Sequence, residues 1–240
     1  MKPPKEPAVK RTGYTMLAES LKSEILSGNL KPGDRLLESD LVARHGVGRG
    51  TVREALKLLT SEQLVHTVRG RTGGTYVADV RPASVSSMLL VTIQALLSNN
   101  QVSLADLVEV RQIIEPFAAS LAAARAGPTE TKELRASLAS ASDTDRDDKN
   151  WRWHRAVLHL SGNPLLPALA EPVYELLSTR FDRETTRLSH FRRIQKEHEI
   201  ISSLIETGDS ESAESAMRRH LAGVHLTYLD LASHRSRRLV

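Results

Sequence analysis

The stretch that decides the fold is Gly46-Val47-Gly48-Arg49-Gly50-Thr51-Val52-Arg53-Glu54-Ala55-Leu56-Lys57-Leu58-Leu59. Its apolar residues recur at helical spacing and predict one buried stripe, made by Val52, Ala55, Leu56 and Leu59. Its cations recur every fourth residue and stack on a different face, at Arg49, Arg53 and Lys57. A short helix with these two stripes and a glycine-rich turn before it is typical of a helix held against an anion. We interpret that anion as DNA.

The preceding segment, residues 38–45, predicts a second short helix. Glu38, Ser39 and Asp40 favour its start through capping and electrostatics. Gly46 then reverses the chain, which gives a helix-turn-helix. In that motif the second helix enters the major groove of DNA. An ordinary helical hairpin with a solvated basic face has a similar pattern, so this segment alone leaves both interpretations open.

Two segments of strand composition follow, at residues 64–68 and 75–78, separated by Arg69-Gly70-Arg71-Thr72-Gly73-Gly74. A hairpin with two arginines at its tip predicts a wing that lies along a phosphate backbone or enters a minor groove. Upstream, an amphipathic helix is marked by Tyr14, Leu17, Leu21 and Ile25. Three helices and a β-hairpin within residues 11–80 predict a winged helix-turn-helix domain.

The charge distribution agrees with a DNA-binding N-terminal part. Residues 1–80 contain 13 Lys and Arg against 9 Asp and Glu, whereas residues 81–240 contain 20 of each. The whole formal surplus of +4 therefore lies in the first 80 residues. A surplus of this size is modest, so its location is the informative part.

Composition limits the remaining possibilities. A chain of 240 residues with 40% apolar content is long enough for two domains. The absence of cysteine excludes disulfides and thiolate metal sites. No apolar run is long enough to span a bilayer, so no membrane association is expected. Residues 1–10 are proline-rich without an apolar signal segment, and we expect a disordered leader on a cytoplasmic protein.

The ordered motifs at residues 27–36, 46–49, 52–56 and 73–77 closely resemble those of the GntR family of bacterial transcription regulators. The resemblance implies DNA contacts from Arg35, Arg49, Thr51 and Arg53, with the wing around Gly73 assisting. The complete set of DNA-binding candidates adds Ser39, Gly50, Lys57 and Arg71. Two departures from the family pattern are Gly48, where the family has Ser or Thr, and Ser39, where many members have Arg.

The second half of the chain is predicted to be all helical. Residues 81–84 are interpreted as the linker and residues 81–102 as linker plus a first helix. Apolar residues after the linker keep helical spacing, with breaks at 98–100, 127–128, 161–164 and 207–209. Residues 103–235 are interpreted as a helical ligand-binding domain. We expect a mainly α protein whose C-terminal part is an antiparallel bundle of six or seven helices, a fold that hosts ligands between its helices.

Four residues of this half are candidate metal ligands. Asn150 and His154 are one turn apart on one predicted helix, and His198 and His220 lie on two later helices. Three converging imidazoles would suit zinc, with nickel or manganese as alternatives. An isolated helical histidine is more often an ordinary surface or core residue, and we assign six histidines to that class: His45, His66, His159, His190, His225 and His234.

Several motifs here resemble the FCD effector domain of the FadR-type branch of the family. They are Asn150-Trp151-Arg152-Trp153-His154, Ser161-Gly162-Asn163, Lys196-Glu197-His198-Glu199-Ile200-Ile201, Thr207-Gly208-Asp209 and Met217-Arg218-Arg219-His220-Leu221. The resemblance implies that an Asp and three His hold a divalent metal beside a bound organic acid. The Asp position is Asn150 here, which removes one negative charge and favours an incoming anion. Asp147 and Asp148 lie out of register, and a metal-free site in which the histidines hold the effector directly is an alternative.

Arg111 is the candidate effector-binding residue. It lies on an otherwise apolar helix, where a buried cation needs a partner. One interpretation is a salt bridge with Glu115 on the next turn. The other is a bidentate clamp on an effector carboxylate, which suits the guanidinium group and which the family resemblance favours.

These features lead to one hypothesis and two rivals. The hypothesis is a homodimeric, non-enzymatic transcription regulator that binds double-stranded operator DNA, represses a catabolic operon and responds to a small carboxylate. The first rival is a metal-dependent hydrolase, since three histidines with an open coordination position resemble a catalytic site. The second is a regulator that senses the metal ion itself.

Overall fold

The computed structural model describes residues 12–70, 73–138, 146–180 and 188–237. Within these ranges, no helix has both the length and the apolar character that a membrane crossing requires. The chain divides into two compact units, Met1–Arg81 and Pro82–Val240. The leader expected at residues 1–10 lies outside the described residues.

The N-terminal unit contains three helices and three strands within the described residues. In chain order they are α1 (Gly13–Leu26), β1 (Arg35–Leu36), α2 (Glu38–His45), α3 (Arg49–Ser61), β2 (Val65–Val68) and β3 (Gly74–Val77). The predicted winged helix-turn-helix is therefore confirmed. The α3 stripe of Val52, Ala55, Leu56 and Leu59 is buried and packs with Leu17 and Leu21 of α1.

The turn between α2 and α3 follows the prediction, but the start of α2 does not. Gly46 caps α2 in the left-handed region at φ 64°, which reverses the chain. The residue that precedes α2 is Leu37, and no side chain caps the helix. The expectation of side-chain capping by Glu38, Ser39 or Asp40 is wrong, because these residues lie inside the first turn. Glu38 and Asp40 still place negative charge at the helix N-terminus.

The sheet has one strand more than the predicted hairpin. β2 and β3 form the antiparallel hairpin, with His66 opposite Tyr76 and Thr67 opposite Thr75. β1 pairs antiparallel with the other edge of β3 and places Arg35 opposite Tyr76. A strand of two residues is too short to show alternation in the sequence, so its position depends on tertiary pairing.

The C-terminal unit contains seven helices within the described residues. They are α4 (Pro82–Ser98), α5 (Leu104–Arg125), α6 (Pro128–Ala136), α7 (Arg146–Leu160), α8 (Leu165–Arg180), α9 (Leu188–Glu206) and α10 (Ser210–Arg237). Residues 82–84, expected in the linker, instead form the first turn of α4. Proline is favoured there because the first helical N–H needs no partner in the helix.

Helix α5 lies at the centre of this unit and positions its functional residues. It packs against α7, α8, α9 and α10. A capping box fixes its start: the side chain of Ser103 accepts a hydrogen bond from the Asp106 amide, and the Asp106 carboxylate accepts one from the Ser103 amide. The largest buried apolar cluster joins α5 to α6, α7, α9 and α10 through Ala122, Leu134, Trp153, Ile205 and Met217, among others.

Candidate nucleic-acid interface and metal centre

The cationic stripe of α3 is exposed. Arg49, Arg53 and Lys57 all have exposed side chains, on a different face from the buried stripe. Arg53 Nε donates to Glu38 of α2, at 3.0 and 3.2 Å from the two carboxylate oxygens. Lys57 Nζ donates to Glu54 Oε1 at 2.8 Å. These surface ion pairs are weak, so both cations can exchange their carboxylate for a DNA phosphate or base edge.

Arg35 lies at the base of the wing. Its Nη2 donates to the Gly73 carbonyl oxygen at 2.5 Å, and its guanidinium carbon lies 5.9 Å from the centre of the Tyr76 ring. A Cβ atom on Gly74 would approach Arg35 Nε to 2.8 Å. Glycine at position 74 therefore makes room for the guanidinium, which ties the wing to β1.

The remaining DNA-binding candidates are Ser39, Gly50, Thr51 and Arg71. Ser39 is exposed on α2, and its hydroxyl donates to Asp40 at 3.0 Å. Gly50 is exposed, with nothing within 4 Å of the position a Cβ atom would take, so the backbone there is open to close approach. Thr51 is half-buried next to it. Arg71 lies outside the described residues.

Three buried histidines meet in the C-terminal unit: His154 from α7, His198 from α9 and His220 from α10. Their candidate ligand atoms all lie within 4.8 Å of one another. The Nε2 atoms of His198 and His220 are 3.2 Å apart. Side chains from three helices that converge to this distance can hold one divalent ion.

Two of these imidazoles are oriented by carboxylates. His154 Nδ1 lies 2.6 Å from Glu115 Oε2, and His220 Nδ1 lies 2.8 Å from Glu197 Oε2. A carboxylate accepts a hydrogen bond, so the hydrogen of each neutral ring is on Nδ1 and the lone pair is on Nε2. This is the tautomer that a metal ion bound at Nε2 requires.

Arg111 is buried beside the histidines and already has a partner. Its Nε donates to Glu115 Oε1 at 2.6 Å, and both side chains are 1% exposed. Its Nη2 lies 3.4 Å from His154 Nε2. The salt bridge is therefore present, and the same guanidinium also faces Nε2 of His154. The interpretation of Arg111 as a clamp on an effector carboxylate stays a prediction.

Burial and neighbouring charges set the protonation states of the site. Burial lowers the pKa of His154 to about 4, against the opposing effect of Glu115 and with a contribution from Arg111. Burial also lowers the pKa of His198 well below its ordinary value. Burial favours a raised pKa for Glu115, but the charges of Arg111 and His154 outweigh it and hold that pKa below the usual range. At neutral pH, His154 and His198 are therefore neutral imidazoles and Glu115 is ionised.

Two buried polar atoms near the cluster have no hydrogen-bond partner among the described residues: Asn150 Oδ1 and Tyr174 Oη. Asn150 lies one turn before His154 on α7, where its amide oxygen is available as a ligand. The Tyr174 ring centre lies 6.0 Å from that of His154 and 5.0 Å from the Arg111 guanidinium carbon. Burial raises the pKa of Tyr174 well above its ordinary value, with the Glu115 charge adding to the shift, so the hydroxyl stays protonated.

Sequence reasoning missed three residues of this site. Glu197 directly precedes His198 in a quoted motif, but its contact is with His220, 23 residues later. Trp153 stacks on the His198 ring at 3.7 Å between centres and 12° between planes, and its Nε1 donates to Ser202. Tyr174 carried no signal in the sequence, since a tyrosine in an apolar helix is an ordinary core residue.

The remaining histidines fall into two groups. His45, His66 and His159 are described and lie outside the cluster of three. His159 Nε2 pairs with Glu171 on α8 at 3.1 Å. The side chains of His190, His225 and His234, and those of Asp147 and Asp148, lie outside the described residues.

Two known domain families match the chain. The bacterial regulatory proteins of the gntR family match residues 13–77, and the FCD domain matches residues 106–223. The HTH-type transcriptional regulator LutR of Bacillus subtilis (strain 168) is 31% identical over 212 residues, which cover 83% of this chain and 94% of LutR. The chain belongs to the GntR family. Its C-terminal unit is an FCD domain, and the protein is a DNA-binding transcription regulator of that type.

Other GntR regulators resemble it over most of their length. The putative L-lactate dehydrogenase operon regulatory protein of Escherichia coli (strain K12) is 26% identical over 88% of this chain and 84% of its own. The transcriptional repressor GlaR of the same organism is 29% identical over 84% and 89%. The solved structure of Streptococcus agalactiae GntR has the same fold, with a TM-score of 0.59 at 22% identity over 89% of this chain and 99% of that chain.

Proposed function

We propose that this GntR-family regulator is a homodimeric repressor of a catabolic operon, released from operator DNA by a small carboxylate that binds at a divalent ion in the FCD domain. The observation that carries the proposal is the convergence of three buried imidazoles beside Arg111. Imidazoles that converge from three helices on one point are the arrangement that a divalent ion needs.

The donor set fits a divalent metal ion. Three Nε2 lone pairs from His154, His198 and His220 are a ligand set that zinc accepts, and nickel or manganese remain alternatives. Asn150 Oδ1 is a fourth candidate, because it is a buried oxygen without a hydrogen-bond partner among the described residues. The bound ion would supply positive charge and an open coordination position for a ligand oxygen.

The charge of the site selects an anionic effector. None of the four candidate ligands is a carboxylate, and the guanidinium of Arg111 lies 3.4 Å from one of them. An effector with a carboxylate and a second coordinating oxygen would use both the cation and the ion. A small 2-hydroxy acid has this chemistry, and it agrees with the name of the lactate operon regulator among the relatives.

We assign a binding role and no catalytic role to the site. Glu115 is an acidic side chain in direct contact with the cluster, and its two oxygens are bonded to Arg111 and His154. A general base needs an oxygen that can reach water, and Glu115, at 1% exposure, does not provide one. Glu197 is more exposed, but its Oε2 is bonded to His220 Nδ1 and its Oε1 faces Arg193.

The outer face of α5 supports the homodimer. Val110, Ile113 and Phe117 are spaced as one helical stripe and are exposed, Ile113 by 75% and Phe117 by 52%. Leu165 and Leu169, one turn apart on the neighbouring helix α8, are exposed as well. Exposed apolar stripes of this kind are buried in an oligomer more often than left in water. We propose that a second copy of the chain covers it.

The effector site is tested by ligand-induced stabilisation. Metal-stripped protein is loaded with zinc, nickel or manganese, its metal content is measured, and its thermal midpoint is recorded with a panel of 2-hydroxy acids, dicarboxylates, neutral sugars and amines. We expect stoichiometric metal and a rise in midpoint with the logarithm of acid concentration. Stabilisation by neutral or cationic compounds alone contradicts the carboxylate assignment. A response to the ion without any acid supports a metal sensor instead.

A further inference from the structure

No candidate metal ligand in this site is a carboxylate, but carboxylates do contact the histidines. Two acidic side chains, Glu115 and Glu197, each hold the Nδ1 atom of one histidine. Glu115 is fully buried and its other oxygen is bonded to Arg111 at 2.6 Å, so its charge is balanced by the guanidinium. Glu197 is 31% exposed and forms an ion pair with Arg193, whose Nε lies 3.7 Å from Glu197 Oε1, while its Oε2 contacts His220.

Glu197 also connects two of the helices that supply histidines. It lies on α9 directly before His198, and it contacts His220 on α10. The contact orients His220 so that its Nε2 lies 3.2 Å from Nε2 of His198. Removing the carboxylate would allow the His220 ring to turn or to change tautomer, which would move the lone pair away from the cluster.

We propose that Glu197 is a positioning residue of the metal centre, which fixes the tautomer and direction of His220 and supplies beside the ion the negative charge that Asn150 does not. This inference rests on the proposed metal site. Partners that bond to metal-bound imidazoles commonly change metal affinity by 10- to 100-fold when they are removed.

The test compares zinc affinity across a small set of variants of the full chain, by competition with a chromophoric chelator at one neutral pH. Glu197→Ala removes both the hydrogen bond and the charge, and we expect a 10- to 100-fold loss of affinity. Glu197→Gln keeps an oxygen that can accept the Nδ1 hydrogen but loses the charge, and we expect a smaller loss. Glu199→Gln is the matched control, an exposed glutamate on the same helix, and it should bind zinc as the parent chain does.

A rescue variant separates this role from a general structural one. Asn150→Asp places a carboxylate among the candidate ligands, so Asn150→Asp combined with Glu197→Gln should recover the affinity that Glu197→Gln loses. Parent-like zinc affinity of Glu197→Ala overturns the inference and leaves the proposed metal site standing. Failure of the rescue overturns the charge argument. Absence of zinc binding by the parent chain overturns the proposed metal site itself, together with the inference.

Discussion

Arg111 and Glu115 form a buried ion pair in the C-terminal unit. They are bonded to each other on successive turns of α5, and Glu115 continues the chain of contacts to His154. A buried ion pair contributes little net stability compared with apolar residues of similar size. Removing one partner, however, leaves the other charge buried without compensation, which is strongly destabilising. Arg111 therefore has a structural role, in the ion pair with Glu115, and a proposed role in effector binding. An alanine substitution would remove both at once.

Substitutions of Arg111 can separate these roles. Arg111→Lys keeps the cation near Glu115 and loses the planar pair of donors, so we expect a parent-like fold and a weaker response to the acid effector. Arg111→Ala leaves Glu115 uncompensated and should lower the free energy of unfolding by about 3–5 kcal/mol. Urea unfolding and effector titration measure the two effects. A lysine variant that responds to the effector at unchanged concentration would contradict the effector role.

The cations of α3 give a second prediction at the scale of single residues. Arg49→Ala and Arg53→Ala should each weaken specific DNA binding by about 1–3 kcal/mol per contact, on both half-sites of a dimer. Lys22→Ala is the control, since Lys22 is an exposed lysine of α1 paired with Glu62. Fluorescence anisotropy at one salt concentration gives the affinities. Equal losses in all three variants would indicate a general charge effect and no base readout by α3.

At the scale of elements, helix α5 has an inner face that makes the site and an outer face that has no partner within the described part of the unit. Its inner residues could be predicted only in part from the sequence. The helical period is local and was predicted, whereas the contacts of Arg111 depend on how the neighbouring helices pack against α5. The α3 stripe was fully predictable because a single amphipathic period determines it. Strand β1 was not, because its two residues depend on pairing with β3.

The outer face of α5 predicts a dimer that polar substitution disrupts. Phe117→Ser should shift the chain towards monomer in sedimentation-velocity experiments, because it removes an exposed aromatic ring from the apolar stripe. Ile200→Ser on α9, another exposed apolar residue, is the control. If the parent chain already sediments as a monomer at micromolar concentration, the dimer assignment is wrong.

At the scale of the whole molecule, the two units were predictable from charge and motif order, but the site was not predictable from spacing alone. Asn150 and His154 share one helix, so their proximity follows from the helical period. The approach of His198 and His220 to them was implied by family resemblance, since it requires the packing of three helices. The contacts of Glu197 and Tyr174 depend on that packing as well, and no local pattern indicates them.

The buried histidines predict how the stability of the C-terminal unit depends on pH. His154 and His198 have lowered pKa values in the folded chain, so they stay neutral where the unfolded chain binds protons. Stability should therefore fall with acidification, starting near the ordinary histidine pKa and continuing to about pH 4 for His154. Between pH 6.5 and 5 each ring should contribute a loss of about 1–2 kcal/mol.

Tryptophan fluorescence in chelator can measure this loss. The chain contains two tryptophans, Trp151 and Trp153, and both lie in the C-terminal unit, so the signal reports that unit alone. We expect the urea midpoint to decrease from pH 7 to pH 5. A midpoint that stays constant over that range would show that the two imidazoles are not buried in the neutral form.

The central claim is that an acid bound in the FCD domain controls DNA binding, and one measurement tests it directly. DNA that the protein selects from a random library is titrated by fluorescence anisotropy at fixed salt, with zinc, with chelator, and with each 2-hydroxy acid or dicarboxylate. The account predicts tight binding of a palindrome, at least 10³-fold above scrambled DNA, and at least a tenfold rise in Kd when one of the acids is added to metal-loaded protein. A Kd that no acid changes, with metal or without it, would contradict the account.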